Sequence, residues 1–396
     1  MSEWKECRLD DIISIKSGLP YKGEYLNKGD NYLLGMGCVS FAETFLPNGA
    51  RRYSDGGKPQ YIGKAGDIVL ATRQQSDNMP ILGMPAIIPD FFEEGKVIVG
   101  SNLYMVDNKS DVDNRFLFWL LRTPQYINHI RYSQTGTTVR MITKKDIENF
   151  TFHCPPKNQR NTISSLLWNI QDKIETNRKI NARLEELAQA LFKSWFIDFE
   201  PFGGKMPEDW GTGILADELN LVKNPIKASD VGNLPYLPID SIPMNHLGIE
   251  EYDKSENAQS SLITFSKNDI LIGAMRVYFH RVILSPFDGV TRTTCFVLRP
   301  HNEIALPYLL LLCNQNSTIE YACSTSKGTT MPYAVWENGL ANMEIIIPPI
   351  DVLGKFCNTV MPLITKIRDS YKEVKALITL RDTLLPKLMS GEIKTT

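Results

Sequence analysis

Metal sites and nucleophiles would have to be drawn first from five histidines and seven cysteines. His129, His153, His246, His280 and His301 never fall at the HxxxH or HExxH spacing that sets two imidazoles on one helical face. Cys7, Cys38, Cys154, Cys295, Cys313, Cys323 and Cys357 form no CxxC pair and are odd in number, which argues against a zinc cluster or a disulfide scaffold. They read as reduced, mostly buried thiols, and no metal is expected. No GxxxxGK[ST] loop is present to wrap phosphates, and no GxGxxG opens a dinucleotide or S-adenosylmethionine site. Pro89-Asp90 followed by Glu94-Gly95-Lys96 imitates a nuclease carboxylate set. Only three residues separate Asp90 from Glu94, too few for the hairpin that would join their strands, so the segment reads as a turn. No catalytic residue is expected.

The remaining polar clusters suit recognition of nucleic acid. Arg, Gln and Asn read base edges in bidentate geometry, while Ser, Thr and backbone N–H groups hold phosphates. Arg73, Gln74, Gln75 and Asn78 form one such cluster, and Arg276, Tyr278, His280 and Arg281 form its counterpart. Gly136-Thr137-Thr138 with Arg140 and Lys144, and Lys327-Gly328-Thr329-Thr330, offer small residues that let backbone approach a phosphate beside cations. Lys16, Ser17, Tyr21 and Lys22 make a basic turn with an aromatic. The same residues would equally serve polar surface loops or turns that need glycine.

An internal duplication positions these clusters. Trp4 to Ile15 is echoed by Trp210 to Leu221, Gly66-Asp67-Ile68-Val69-Leu70 by Asn268-Asp269-Ile270-Leu271-Ile272, and Gly136-Thr137-Thr138 by Gly328-Thr329-Thr330. The offset drops from about 200 to about 192 after the Asp67 and Asp269 strands, which locates a loop-length difference there. Each copy predicts a mixed α/β globule, 1–157 and 201–350, of short strands broken by Gly, Pro and Asn. Each globule ends in a proline pair and then changes hydrophobic period, giving long helices over 158–200 and, with a C-terminal tail, 351–396.

The helices carry matched heptads. In the first, Ile163, Ile170, Asn177, Leu184 and Leu191 fill one seam position, with Leu167, Ile174, Asn181, Ala188 and Trp195 four residues on. In the second, Phe356, Leu363, Ser370, Leu377 and Leu384 are followed by Val360, Ile367, Val374, Arg381 and Leu388. Two such seams can bury each other as an antiparallel coiled coil, about 55 Å long at 1.5 Å per residue. Two similar globules would then lie in pseudo-twofold arrangement, separated by the helices, as heads that read two short DNA sites one set distance apart. Phe192, Trp195 and Phe196, near a helix end, are candidates for a partner surface or for the cap of the seam.

The GDIV and NDIL strands, the GTT and PP elements, Asn158-Gln159-Arg160 and the tail Leu380 to Ile393 (LRDTLLPKLMSGEI) resemble the specificity subunit of type I restriction and modification systems across essentially the whole chain. The second helix departs in opening on Ile350-Asp351-Val352-Leu353 rather than a polar turn. The resemblance implies two target recognition domains on double-stranded DNA, helices that dock two methyltransferase subunits, and restriction and translocase partners. It also implies that this chain is not an enzyme and has no cofactor, with S-adenosylmethionine, ATP and Mg on the partners. A methyltransferase or nuclease carrying recognition domains would need a catalytic module for which 396 residues leave no room. A coiled-coil scaffold without a nucleic-acid role is the other alternative.

Net charge is −2, so the chain does not grip DNA by bulk charge, and the second globule is the acidic part at −6. The N-terminus lacks an apolar signal core, and Tyr308 to Cys313 is far short of the ~20 residues that span a bilayer. A cytoplasmic protein is expected, with no membrane partner.

Overall fold

Proline pairs mark where the chain leaves strand and enters its long helices. Proline lacks an N–H and has φ fixed near −65°, so it suits the residues leading into a first helical turn, whose N–H groups have no intrahelical acceptor. After Pro155 and Pro156 the first long helix runs Lys157–Phe196, with the Arg160 N–H on the Pro156 carbonyl at 3.0 Å. After Pro348 and Pro349 the second runs Ile350–Met389, with the Val352 N–H on the Pro349 carbonyl at 3.0 Å. The apolar opening at Ile350 is therefore helical, and Asp351 in its first turn complements the helix dipole. Gly391, at φ 76°, closes the second helix in the left-handed conformation that glycine adopts without a Cβ clash.

The computed structural model describes residues 4–56, 58–74, 81–136, 138–258 and 261–394. It divides into two units, 1–171 with 379–396, and 172–378. The division cuts both long helices, so each unit holds one globule together with a stretch of each helix. The sequence reading had set the helices apart as spacers.

The two units repeat one topology. In unit one the strand order is Ile13–Ser17, Leu103–Asn108, Ile68–Ala71, Pro85–Ile87, and in unit two it is Leu219–Leu221, Cys295–Pro300, Ile270–Gly273, Val282–Leu284. In both, the first strand of the copy pairs with the last: Lys5–Arg8 with Thr151–Cys154, and Gly211–Ile214 with Glu344–Ile347. The loop-length difference is shared by two connections, 72–84 against 274–281 and 88–102 against 285–294.

Within unit two the helices run antiparallel. Asn177 Nδ2 donates to Glu373 Oε2 at 2.9 Å, whereas further along the first helix Trp195 packs on Phe356, with ring centroids 5.5 Å apart. In unit one, Gln171 Oε1 accepts from Arg381 Nη1 at 2.6 Å, and Ile163, Leu167, Leu385 and Leu388 share one core with Phe116, Phe118 and Trp119. Of the two seam rows, the one through Leu167, Ile174, Asn181 and Ala188 is buried, as is its match through Val360, Ile367, Val374 and Arg381. The other rows are buried at Ile163, Ile170, Asn177, Phe356 and Ser370 but only half-buried at Leu184, Leu191, Leu363, Leu377 and Leu384.

A third row, through Gln171, Arg178, Glu185 and Phe192, is turned inward as well. Gln171 meets Arg381, Arg178 pairs with Glu250, Glu185 accepts from the Leu247 N–H at 3.0 Å, and Phe192 stacks on Tyr308. Three inward rows, the third largely polar, make a wider buried face than a bare two-stranded seam requires. The helices pack on their globules and on each other at once.

Candidate nucleic-acid interface

In unit one the structure joins two of the clusters that the sequence had kept apart. Arg73–Gln74 forms a short antiparallel ladder with Arg140–Met141, pairing Met141 with Arg73 and Arg140 with Gln74. The Arg140 strand is the return arm of a small hairpin. Its first arm is held by the Thr135 N–H on the Met141 carbonyl at 3.0 Å, with the reverse bond at 2.9 Å. Gly136 turns the hairpin at φ 93°, where an added Cβ would lie 2.2 Å from the Val139 carbonyl oxygen, so glycine is required. The Ile142 N–H on Thr72 O at 3.3 Å and the Tyr104 hydroxyl on Ile142 O at 3.2 Å fasten the hairpin to the central sheet.

Side chains directly opposite in such a ladder share a face. Arg73 and Met141 are both exposed, so a cation and a large apolar side chain stand together in solvent. Thr138 is exposed at the hairpin tip, and Lys144 Nζ lies 5.9 Å from the Tyr104 ring centroid. Tyr104 also pairs across the sheet with Ser17. Arg73, Thr138, Arg140, Lys144 and Ser17 therefore gather around one hairpin.

Unit two repeats the device with other side chains. Met275 and Lys327 each bridge to Tyr333, the Arg276 N–H donates to Pro332 O at 2.7 Å, and Gly328 turns the hairpin at φ 89°. Lys327, Thr329, Thr330, Met331 and Tyr333 are exposed on it. Tyr333 faces Met275 as Met141 faces Arg73, so the structural counterpart of Arg73 is Met275, and Arg276 corresponds to Gln74. The sequence reading had matched Arg73 with Arg276. At equivalent positions the two hairpins present Val139 and Met331, Arg140 and Pro332, Met141 and Tyr333. Nearby, Lys223 pairs with Glu337 at 2.6 Å.

Several candidates take structural roles instead. Gln74 is only 6% exposed, and its Oε1 accepts from the Leu82 N–H at 3.3 Å, so it holds a loop and is not free to read a base. The Arg281 guanidinium donates to the Ile239 carbonyl and lies 3.5 Å from Asp240, tying a loop to the strand. His280 Nε2 is 2.8 Å from Asn314 Oδ1. Phe192 and Phe196, 2% and 4% exposed, belong to the core of unit two with Trp210, Tyr308 and Phe356, so they form no partner surface. Trp195 is half-buried against Phe356 and Phe202.

The basic turn has divided uses. Lys16 pairs with Asp107 at 2.8 Å, and that hydrogen bond holds the Asp107 carboxyl below the usual carboxylate range. Tyr21 packs on the cluster of Leu33, Tyr53 and Ile98, while Lys22 is exposed, 3.8 Å from Glu24. Tyr278, half exposed on its turn, remains available to a ligand. Gln75, Asn78 and Thr137 lie outside the described residues.

Sequence reasoning missed Tyr104, Met141, Met331 and Tyr333. The repeat carried a signal for two of them, since Met141 and Tyr333 each follow the hairpin glycine at the same distance. Among the described residues no group of His, Cys, Asp and Glu could hold a metal, and all seven cysteines are free thiols. Burial pushes Cys38 up to about 11 and Cys295 and Cys313 to about 12, which makes them inert at neutral pH. No described helix is long and apolar enough to cross a membrane.

A family profile described as "Type I restriction modification DNA specificity domain" matches residues 1–186 and 207–359. The type I restriction enzyme MjaIX specificity subunit of Methanocaldococcus jannaschii is 26% identical, over 72% of this chain and 70% of its own length. The HindI specificity subunit of Haemophilus influenzae is 24% identical, over 99% of this chain and all of its own. The S subunit of a type I restriction-modification system from M. genitalium superposes with a TM-score of 0.65 at 15% identity, covering 99% of this chain and 97% of that one. That last likeness is one of fold.

Proposed function

Because the chain belongs to the type I restriction modification DNA specificity family, we propose that it is the DNA sequence-recognition subunit of a type I restriction-modification complex, each unit reading one half of a bipartite, asymmetric target. The observation that carries this reading is the duplicated hairpin. The same strand end and the same glycine turn are built twice, and the side chains they expose at matched positions differ in charge and shape. Base-edge readout needs that combination of a constant backbone placement and a changed side-chain set. The helices would set the number of base pairs between the half-sites.

The chain itself is non-catalytic on this reading. Methyl transfer, restriction and translocation belong to partner subunits, which bring S-adenosylmethionine, ATP and Mg. With Phe192 and Phe196 in the core, docking of two methyltransferase subunits falls to apolar side chains still exposed on the first helix, namely Leu166, Ile180 and Leu187. They lie on one heptad grid, fourteen and then seven residues apart.

The test is a domain exchange. Residues 1–157 are replaced by the equivalent globule of another family member, and methylated adenines are mapped genome-wide. The expected result is one new half-site, with the other half-site unchanged. An unaltered methylated sequence would favour a scaffold without a DNA role.

A further inference from the structure

Unit two contains a cavity of about 440 Å³ between the second long helix and the segments 247–252 and 284–287. That volume falls within the range of small-molecule sites, about 300–1,000 Å³. None of its lining residues belongs to the hairpin surface or to the helix seam rows other than Ile367. Its helical wall is a single stripe, from Ile364 through Arg368, Tyr371 and Lys372 to Lys375, at spacings of three and four residues. The facing wall is aromatic: Tyr252 and Phe287 meet edge to face with centroids 4.7 Å apart.

Gly248 keeps the cavity in this shape. An added Cβ there would lie 2.0 Å from the Tyr371 ring, so any side chain would drive Tyr371 out of place.

Charge decides what fits. Three cations, Arg368, Lys372 and Lys375, line the cavity, and no carboxylate does. Asp369, outside the lining, stands 3.7 Å from Arg368 Nε and 4.0 Å from Lys372 Nζ. Arg368 Nε is buried without a hydrogen-bond acceptor, although Nη1 reaches Asn268 Oδ1 at 3.4 Å. An anionic oxygen within hydrogen-bond reach would serve this guanidinium better than Asp369 does at 3.7 Å. Lys375 Nζ lies 3.1 Å from the Tyr252 ring centroid, which brings its charge against the aromatic wall.

We propose that this cavity binds a small aromatic anion, its ring between Tyr252, Phe287 and the helix stripe and its acidic group against Arg368 and Lys372. Occupancy ties the 247–252 and 284–287 segments to the helix and stabilises unit two by mass action.

The test uses the full chain with 1-anilinonaphthalene-8-sulfonate, followed by fluorescence titration and thermal melting, beside its neutral counterpart N-phenyl-1-naphthylamine. Saturable binding at one site, a raised melting temperature and at least about tenfold preference for the sulfonate are expected. Lys372→Gln, at an exposed position, should weaken sulfonate binding severalfold and leave the neutral probe unaffected. Ala376→Trp should fill the cavity and abolish binding of both. Equal affinity for the neutral compound, absence of saturable binding, or sulfonate binding indifferent to Lys372→Gln would each overturn the proposal.

Discussion

At Arg73 the guanidinium stands in solvent beside Met141, while at Gln74 the amide is buried on the Leu82 N–H. Two substitutions should therefore fail in different ways. Arg73→Ala removes a side chain suited to bidentate base contact, worth about 1–3 kcal/mol of discrimination, and should relax the first half-site in methylation maps while leaving the urea midpoint unchanged. Gln74→Ala leaves a buried N–H unsatisfied, at about 1–3 kcal/mol, and should lower the urea midpoint. A lowered midpoint for Arg73→Ala, or an unchanged one for Gln74→Ala, would reverse the assignment. His246 supplies a pH test. Its Nδ1 lies 2.9 Å from Glu185 Oε2, and that hydrogen bond raises the imidazole pKa above 6.5 against the opposing effect of burial. Folding thus favours the protonated ring. The added stability is complete below the unfolded pKa, about 6.5, and is lost as pH rises through the higher folded value. Urea midpoints should fall as pH rises from below the unfolded pKa through the raised folded one, and His246→Gln should flatten that fall; an equal slope in the variant would exclude His246 as its source.

At the scale of the element, the long helices were legible because apolar residues recur with the heptad and proline pairs announce their starts. The third inward row was not, because it is built from Gln171, Arg178 and Glu185, polar residues whose partners lie far away in sequence. For Phe192 and Phe196 the sequence left a partner surface and a cap of the seam both open, since apolarity alone does not say whether a side chain finds a core; both are buried in one core with the seam residue Phe356. The hairpins were half legible: the repeat located GTT twice, but only strand pairing brings Arg73 beside Met141 and shows Met275 in its place. Asn181 is the seam residue with the sharpest consequence. It is fully buried, and neither amide atom has a hydrogen-bond partner. A desolvated, unpaired amide costs about 1–3 kcal/mol, so Asn181→Leu should raise the melting temperature of the chain. A lowered one would mean that the amide contributes to the fold, as a polar seam residue does when it fixes register at the expense of stability.

At the scale of the molecule, the charge pattern separates affinity from specificity. The sequence segments sum to +1 over 1–157, 0 over 158–200, −6 over 201–350 and +3 over 351–396, too little positive charge for tight binding by phosphate neutralisation. Partners that enclose the duplex would supply affinity, and this chain would choose the sequence. The proposed spacer role of the helices then makes a geometric prediction. Inserting one heptad in each long helix, at matched places in the seam, keeps the buried row in phase, because seven residues return each side chain to the same face. Each helix lengthens by about 10 Å at 1.5 Å per residue, equal to about three base pairs at 3.4 Å each. Methylation maps of cells carrying the lengthened subunit should show both half-sites unchanged and the spacer wider by about three base pairs. A four-residue insertion would instead rotate the seam and should impair folding. Unchanged spacing in a well-folded heptad variant would show that the interval between half-sites is set elsewhere in the complex.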